Sequence, residues 1–120
     1  MDQQSENLPL IPFSPAECVA LRKVLQAYEL SLRRGVVTPE RARYLVHVRR
    51  ITRRLTAQLA AQQEVCLALD GAEIDALLKA LRDFGCQIEE LFPHTQQRDL
   101  AVATLTGWQQ RVIDLLLGCH

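Results

Sequence analysis

The stretch from Ile74 to Leu91 constrains the fold more than any other part of the chain. Its apolar residues recur every three or four positions, which is the period of one face of an α-helix. These residues are Ile74, Leu77, Leu78, Leu81, Phe84, Ile88 and Leu91. Just before them, Asp70 and Glu73 have the spacing of a capping box, which satisfies free backbone N–H groups at a helix start. The pattern therefore predicts an amphipathic helix over residues 71–91, with one buried face.

Similar start signals predict three further helices. Ser14, Thr38 and Thr95 are suitable N-cap residues, because their hydroxyl groups accept hydrogen bonds from the first turn. The four helices are expected at about 14–34, 38–63, 71–91 and 95–118. Short links join the first helix to the second and the third to the fourth, so each pair should form an antiparallel hairpin. The sequence thus predicts an all-α protein, an antiparallel four-helix bundle built from two helical hairpins.

Two segments outside these helices have a different pattern. Residues 1–13 are polar and then contain two prolines, which predicts a flexible tip and an extended N-terminal arm. Within the arm, Leu10, Ile11 and Phe13 are expected to lie against a single helical domain at 14–120. Apolar residues alternate at 64–69, so that segment could be a short strand, a linker or helix, and the sequence leaves the three open.

Composition and cysteine spacing narrow the class of protein. Of the 120 residues, 48% are apolar and 23% charged, which is ordinary for a globular domain. We expect neither a membrane span nor a secretory signal, because no apolar run approaches about 18 residues and the first ten are polar. Four cysteines, at 18, 66, 86 and 119, have no C-x-x-C spacing, and Cys18 and Cys86 fall on predicted apolar faces. This pattern favours free thiols in a cytoplasmic protein with no metal site and no cofactor.

No residue pattern points to catalysis. The triplet DFG at 83–85 copies a kinase motif, but it lies inside the third predicted helix and lacks the other kinase motifs. Asp83, Glu89 and Glu90 are placed off the apolar stripe, so nothing should raise the pKa of a carboxyl group toward the range of a general acid. We expect a protein that is not an enzyme.

A basic stretch in the second helix is the strongest functional feature. The sequence RARYLVHVRRITRRL, residues 41–55, holds six arginines and no acidic residue. On a wheel of about 100° per residue, the basic residues lie opposite the apolar stripe. Four of them, Arg43, His47, Arg50 and Arg54, share an arc of about 60°, with Arg49 and Arg53 beside it. This arc is either a merely solvated helix face or a surface that binds a partner.

Charge distribution along the chain favours a partner. Residues 1–63 carry ten basic and five acidic side chains, whereas residues 64–120 carry four basic and nine acidic ones. A formal net charge of zero therefore conceals two halves of opposite sign. Three partners would complement the basic arc: the acidic half of another copy, a different protein with an acidic helix, or the phosphate backbone of nucleic acid.

These observations support two functional predictions, in order of preference. The first is a non-enzymatic helical interaction protein, an adaptor or small subunit of a larger assembly, that binds an acidic partner through the arginine-rich face. The alternative is a sequence-nonspecific subunit of a nucleoprotein complex that binds the nucleic-acid backbone. Two observations weigh against the alternative: the isoelectric point is near 6.8, and the exposed arc has no aromatic residue for stacking on bases.

Overall fold

The computed structural model describes residues 10–34, 36–61 and 65–118. Two strands and four helices follow one another as β1 Leu10–Phe13, α1 Pro15–Arg33, α2 Pro39–Ala60, β2 Val65–Ala68, α3 Gly71–Leu91 and α4 Gln96–Gly118. Helix α1 packs along α2 and α3 packs along α4, and α3 also contacts α1 and α2. The predicted bundle of two helical hairpins is therefore confirmed.

Local hydrogen bonds explain where the helices begin. At the start of α1, the Ser14 hydroxyl accepts from the Glu17 amide at 3.1 Å, and the Glu17 carboxylate accepts from the Ser14 amide at 2.9 Å. Asp70 and Glu73 form the same reciprocal pair before α3. Because both capping boxes satisfy amides that have no partner inside the helix, they fix these starts at the predicted positions.

Two predicted boundaries need comment. Helix α2 ends at Ala60, earlier than the predicted end near Gln63, and the Ala61 amide closes it by donating to the Ala57 carbonyl at 3.0 Å. Gly35, which we expected to stop the first helix, lies outside the described residues, and so do residues 62–64. The segment left open at 64–69 contains strand β2 at Val65–Ala68.

The N-terminal arm contributes one strand of a two-stranded antiparallel sheet. Strand β1 pairs with β2 in a register that sets Ile11 opposite Leu67 and Phe13 opposite Val65. Successive side chains of a strand point to opposite faces, so Ile11 and Phe13 are buried whereas Leu10 is 58% exposed. The expected contact of Ile11 and Phe13 with the body is confirmed, and that of Leu10 is wrong.

The core lies where the four helices and β1 meet. Its fully buried side chains include Leu21 and Leu25 of α1, Ile51 and Leu55 of α2, and Leu77 and Leu81 of α3. From α4, Trp108 is 4% exposed and packs edge-on against Phe13, with ring centroids 6.1 Å apart. The single tryptophan, on α4, is thus buried against β1.

Two expectations for helix α3 require correction. Cys86, expected on an apolar face, is exposed, although Cys18 is buried as expected. Asp83, expected to point away from the core, is half-buried on the flank of α3 that faces α1, where it accepts a hydrogen bond from the Tyr28 hydroxyl at 2.9 Å. The two errors have different causes. Cys86 lies two residues from Phe84 and from Ile88, about 160° away on the helical wheel, so it is not on their face. Asp83 is covered because α1 packs against that flank of α3, which the apolar stripe alone does not show.

Candidate partner-binding surface

Helix α2 is oriented by its apolar stripe. Val48, Ile51 and Leu55 are completely buried in the core, so the opposite side of the helix must face outward. The helix begins at Pro39, where the Thr38 hydroxyl accepts from the Arg41 amide at 3.1 Å. This orientation brings the six predicted basic residues to the outer side and flanks of α2, where the structure divides the five arginines into two groups and leaves His47 apart.

The first group, Arg49 and Arg54, has carboxylate partners within the chain. The Arg49 guanidinium donates to Glu29 of α1 at 3.3 Å. The Arg54 Nη1 donates to Glu73 of α3 at 2.9 Å and to the Ala68 carbonyl of β2 at 2.8 Å. These two arginines therefore hold α2 against its neighbours in addition to lying on the basic arc.

The partner of Arg54 is a buried carboxylate that sequence analysis did not identify. Glu73 is only 1% exposed, although its place in the first turn of α3 suggested no more than a capping role. Oε1 accepts from Arg54 and from the Asp70 amide, whereas Oε2 is buried with no hydrogen-bond partner in the structure. A buried carboxylate is costly unless it is paired, so Arg54 is part of the packing of this fold.

The sequence that follows Glu73 does contain a pattern that indicates the burial of this residue. Glu73 lies three, four and seven residues before Ala76, Leu77 and Ala80, all of which are completely buried. These positions form one helical face, and its small residues allow a neighbouring element to approach closely. An acidic residue at the head of such a face predicts a buried ion pair, because an isolated carboxylate could not be tolerated there.

The second group, Arg43, Arg50 and Arg53, forms what we call the outer row. All three residues are exposed. Across the part of the chain that the structure describes, no hydrogen bond or ion pair involves any of their side chains. The stretch of α2 from Arg43 to Arg53 spans about 15 Å of helix, so three unpaired positive charges lie along two to three turns.

His47 belongs to neither group. It lies on the flank of α2 between the outer row and α3, and it is half-buried. Its Nδ1 atom is buried with no hydrogen-bond partner in the structure. His47 is therefore less accessible to a partner than the three exposed arginines of the outer row.

Exposed apolar side chains accompany the outer row. Val46 lies between Arg43 and Arg50 on the same side of α2 and is 47% exposed. On α1, Leu30 is 56% exposed. It directly follows Glu29, whose carboxylate accepts a hydrogen bond from Arg49 of α2. The outer side of the α1–α2 hairpin therefore presents basic and apolar groups together.

Ion pairs between the two halves of the chain do not remove the difference in net charge between them. Among the described residues, only two pairs join the halves, Arg54 with Glu73 and Arg111 with Glu17. The first uses a cation of the basic half, but the second uses an anion of that same half. These two pairs offset each other in the charge balance, so ion pairs between the described halves do not neutralise the excess positive charge of residues 1–63.

A polar cleft between the first three helices has its side chains paired with one another. A cleft of about 360 Å³ between α1, α2 and α3 contains Tyr28, Tyr44, Lys79 and Asp83. These groups bind one another or a nearby carboxylate, and burial together with Asp83 raises the pKa of Tyr28. Within the described ranges, no group of three or more His, Cys, Asp or Glu side chains could hold a metal ion.

Comparison with known proteins adds no family to this description. The chain matches no protein-family model, no curated protein and no solved structure. Over the described ranges, none of its helices combines the length and apolar character needed to cross a membrane. Function must therefore be inferred from the surface of the molecule itself.

Proposed function

We propose that this protein is a non-enzymatic interaction module, an adaptor or small subunit, that binds an acidic protein partner through the outer side of α1–α2. One observation supports this most strongly: Arg43, Arg50 and Arg53 are exposed together and have no carboxylate partner in the described structure, whereas Arg49 and Arg54 each have one. Arg50 and Arg53 are three residues apart, and like charges that are neighbours on a helix surface repel each other, so this row costs stability unless an anionic surface covers it.

The kind of partner follows from what lies beside the charges. Val46 exposes apolar surface between Arg43 and Arg50 along α2, and Leu30 of α1 is also exposed. A phosphate backbone would leave these apolar groups without a complement, because backbone recognition depends on charge and hydrogen bonding. A protein surface with an apolar centre and acidic rim matches both features, as an amphipathic acidic helix would.

The test uses a labelled amphipathic peptide of leucine and glutamate as the acidic probe, with its leucine–glutamine counterpart as the neutral one. We expect the wild-type protein to bind the acidic peptide more tightly, with an affinity that falls as salt rises. The variant Arg43→Glu, Arg50→Glu, Arg53→Glu should lose at least about tenfold in affinity, because three favourable charge contacts become repulsive.

A matched control separates local from overall charge. The variant Arg43→Gln, Arg50→Gln, Arg53→Gln removes three positive charges, and the variant Gln96→Glu, Ala103→Glu, Thr106→Glu adds three negative charges at exposed sites of α4. Only the first should weaken binding of the acidic peptide. Equal weakening by both variants, or unchanged binding in the Arg→Glu variant, would show that the outer row binds no acidic protein.

Two further measurements examine the remaining partners. Light scattering at low and high salt reports whether the acidic half of a second copy occupies the outer row. Anisotropy with a labelled single strand and a labelled duplex reports phosphate binding, which would appear with both and fall steeply with salt. Salt-sensitive binding to both nucleic acids, lost in the Arg→Glu variant while the acidic peptide fails to bind, would replace our proposal with the backbone-binding alternative.

A further inference from the structure

A second site lies on the other helical hairpin, where α3 turns into α4. An apolar groove of about 490 Å³ opens there between the last turns of α3 and the first turns of α4. Its apolar walls are Phe84, Ile88, Phe92, Pro93 and Ala101. Grooves of about 300–1,000 Å³ are the usual size of small-molecule sites, and most of their lining is apolar, as it is here.

Exposed apolar residues lie in the same segment of the chain as this groove. Leu91 is 75% exposed, Phe92 58% and Leu100 61%, all within ten residues of one another. Single exposed apolar residues are normal, but several together mark a surface that binds something. The clustering at one corner therefore supports a ligand that is itself largely apolar.

One charged residue lines the groove, and its hydrogen bonding is incomplete. The Arg98 side chain is only 17% exposed. Its Nε atom is buried with no hydrogen-bond partner in the structure, and its Nη2 lies 3.8 Å from the Glu89 carboxylate, beyond the usual hydrogen-bond range of about 2.7–3.2 Å. A mostly buried guanidinium whose one carboxylate neighbour lies beyond hydrogen-bond range is unfavourable, and a carboxylate that accepted a hydrogen bond from it would reduce that cost.

The start of α4 reinforces the positive character of this end of the groove. The Thr95 hydroxyl accepts from the Arg98 amide at 3.2 Å, which fixes the first turn beside the groove. Gln97, in that first turn, is also part of the lining. Backbone amides of a first helical turn carry partial positive charge, so they add to the attraction that Arg98 exerts on an anion.

We propose that this groove binds a small apolar carboxylate, of the class of medium-chain fatty acids, with the chain against Phe84, Ile88 and Phe92 and the carboxylate on Arg98. The groove has one guanidinium for one acidic group and apolar walls for the rest of the ligand. This site is independent of the outer row of α2, which lies on the other helical hairpin, so either proposal can fail without the other.

Decanoate below its micelle concentration is the probe, with decanol as the uncharged probe of the same length. Heteronuclear NMR titrations should show decanoate shifting backbone signals of residues in the range 84–101, and decanol binding at least about tenfold more weakly, since it cannot form the charge-assisted contact. Equal affinity for the two probes, or no shifts in that range at millimolar decanoate, would overturn the proposal.

Three variants assign the roles of the side chains. Arg98→Gln should weaken decanoate binding about tenfold and leave decanol binding unchanged, because it removes charge but keeps part of the aliphatic stem. Glu89→Gln should do the opposite and strengthen decanoate binding, because it removes the carboxylate that competes for Arg98. Ala101→Trp should abolish binding of both probes by filling the groove.

Arg82→Gln is the matched control, since Arg82 is an arginine of α3 outside the groove whose side chain is 64% exposed. It should bind decanoate as the wild type does. If Arg98→Gln proves unfolded by circular dichroism, Arg98→Lys and Glu89→Gln still decide the matter, because the Arg98→Lys variant keeps a positive charge and should retain part of the preference for decanoate over decanol. Loss of that preference in Arg98→Lys, or weaker decanoate binding in Glu89→Gln, would contradict a carboxylate held by the side chain at position 98.

Discussion

The two helical hairpins use their arginines differently. In α3–α4, each arginine has a carboxylate within 4 Å: Arg82 with Asp83, Arg98 with Glu89 and Arg111 with Glu17. In α1–α2, the described structure pairs Arg33, Arg49 and Arg54, whereas Arg43, Arg50 and Arg53 lie exposed without an ion pair. Most acidic residues belong to the half of the chain that contains α3–α4, and none of their described side chains pairs with the outer row.

This difference shows that the position of an arginine on the helical wheel does not determine whether it forms an ion pair within the fold. Arg50 and Arg54 lie about 40° apart on the wheel of α2 and are equally basic. Arg54, one turn further along, reaches the start of α3 and the edge of β2, whereas Arg50 meets solvent. The same residue type is therefore structural at one turn of the helix and available for binding at the next.

The largest effect is expected where the two ends of the chain meet. Trp108→Ala removes a side chain that is 4% exposed and packs edge-on against Phe13. We expect a loss of about 3–5 kcal/mol in the free energy of unfolding, because a large aromatic side chain leaves a cavity that the core cannot refill. Urea denaturation followed by circular dichroism measures it. A loss below about 1 kcal/mol would show that Trp108 contributes little to packing.

The direct test of the contrast compares Arg54→Ala with Arg50→Ala. Removing Arg54 leaves the Glu73 carboxylate, 1% exposed, without its cation. We expect a loss of about 2–4 kcal/mol, somewhat less than for a fully buried pair, because the Arg54 side chain retains 43% exposure. Arg50→Ala should change stability by less than about 0.5 kcal/mol, as is usual for exposed positions.

A companion variant isolates the charge of Glu73. Glu73→Gln keeps an acceptor for the Asp70 amide but removes the negative charge, so combining it with Arg54→Ala should restore part of the lost stability. Equal stability of Arg54→Ala and Arg50→Ala in the same urea experiment would mean that the buried pair contributes nothing and that both arginines are merely solvated.

Acid should weaken the contact between the hairpins through Glu17. Hydrogen bonds from Arg111 and from the Ser14 amide, together with the charge of Arg111, lower the pKa of Glu17 to about 2 from its ordinary 4.5, against the opposing effect of burial. A carboxyl group with a lowered folded-state pKa contributes its full stabilisation above the unfolded pKa and loses it as the pH falls. Stability should therefore decrease between about pH 4.5 and pH 2.

Glu17→Gln identifies this group in the acid transition. With the Glu17 side chain 30% exposed, solvent screening leaves about 1–2 kcal/mol of the contribution to be lost. The variant should be less stable than the wild type at neutral pH and should approach it in acid. Parallel curves of unfolding free energy against pH for the two proteins would show that Glu17 does not titrate with folding.

The fold is more predictable from the sequence than the site is, and the reason is the range of the interactions. Helix α3 follows from its own period and from the Asp70–Glu73 capping box, which are local signals. The partners of Arg54 lie 14 and 19 residues away on β2 and α3, so they follow only from how those elements pack. The Arg98 groove depends on the α3–α4 turn and on the burial of the Arg98 guanidinium. No local sequence pattern indicates that burial.

The smallest stability effect is expected in the outer row itself. Arg43→Gln, Arg50→Gln and Arg53→Gln together should change the free energy of unfolding by no more than about 0.5 kcal/mol, because no described carboxylate loses its partner. The change should be stabilising at low salt, since three like charges spaced three and seven residues apart no longer repel one another, and it should vanish in high salt. Urea denaturation at both salt concentrations measures this difference. A loss of stability at low salt would mean that these arginines have favourable partners within the chain, and the outer row would then resemble Arg49 and Arg54 instead of contrasting with them.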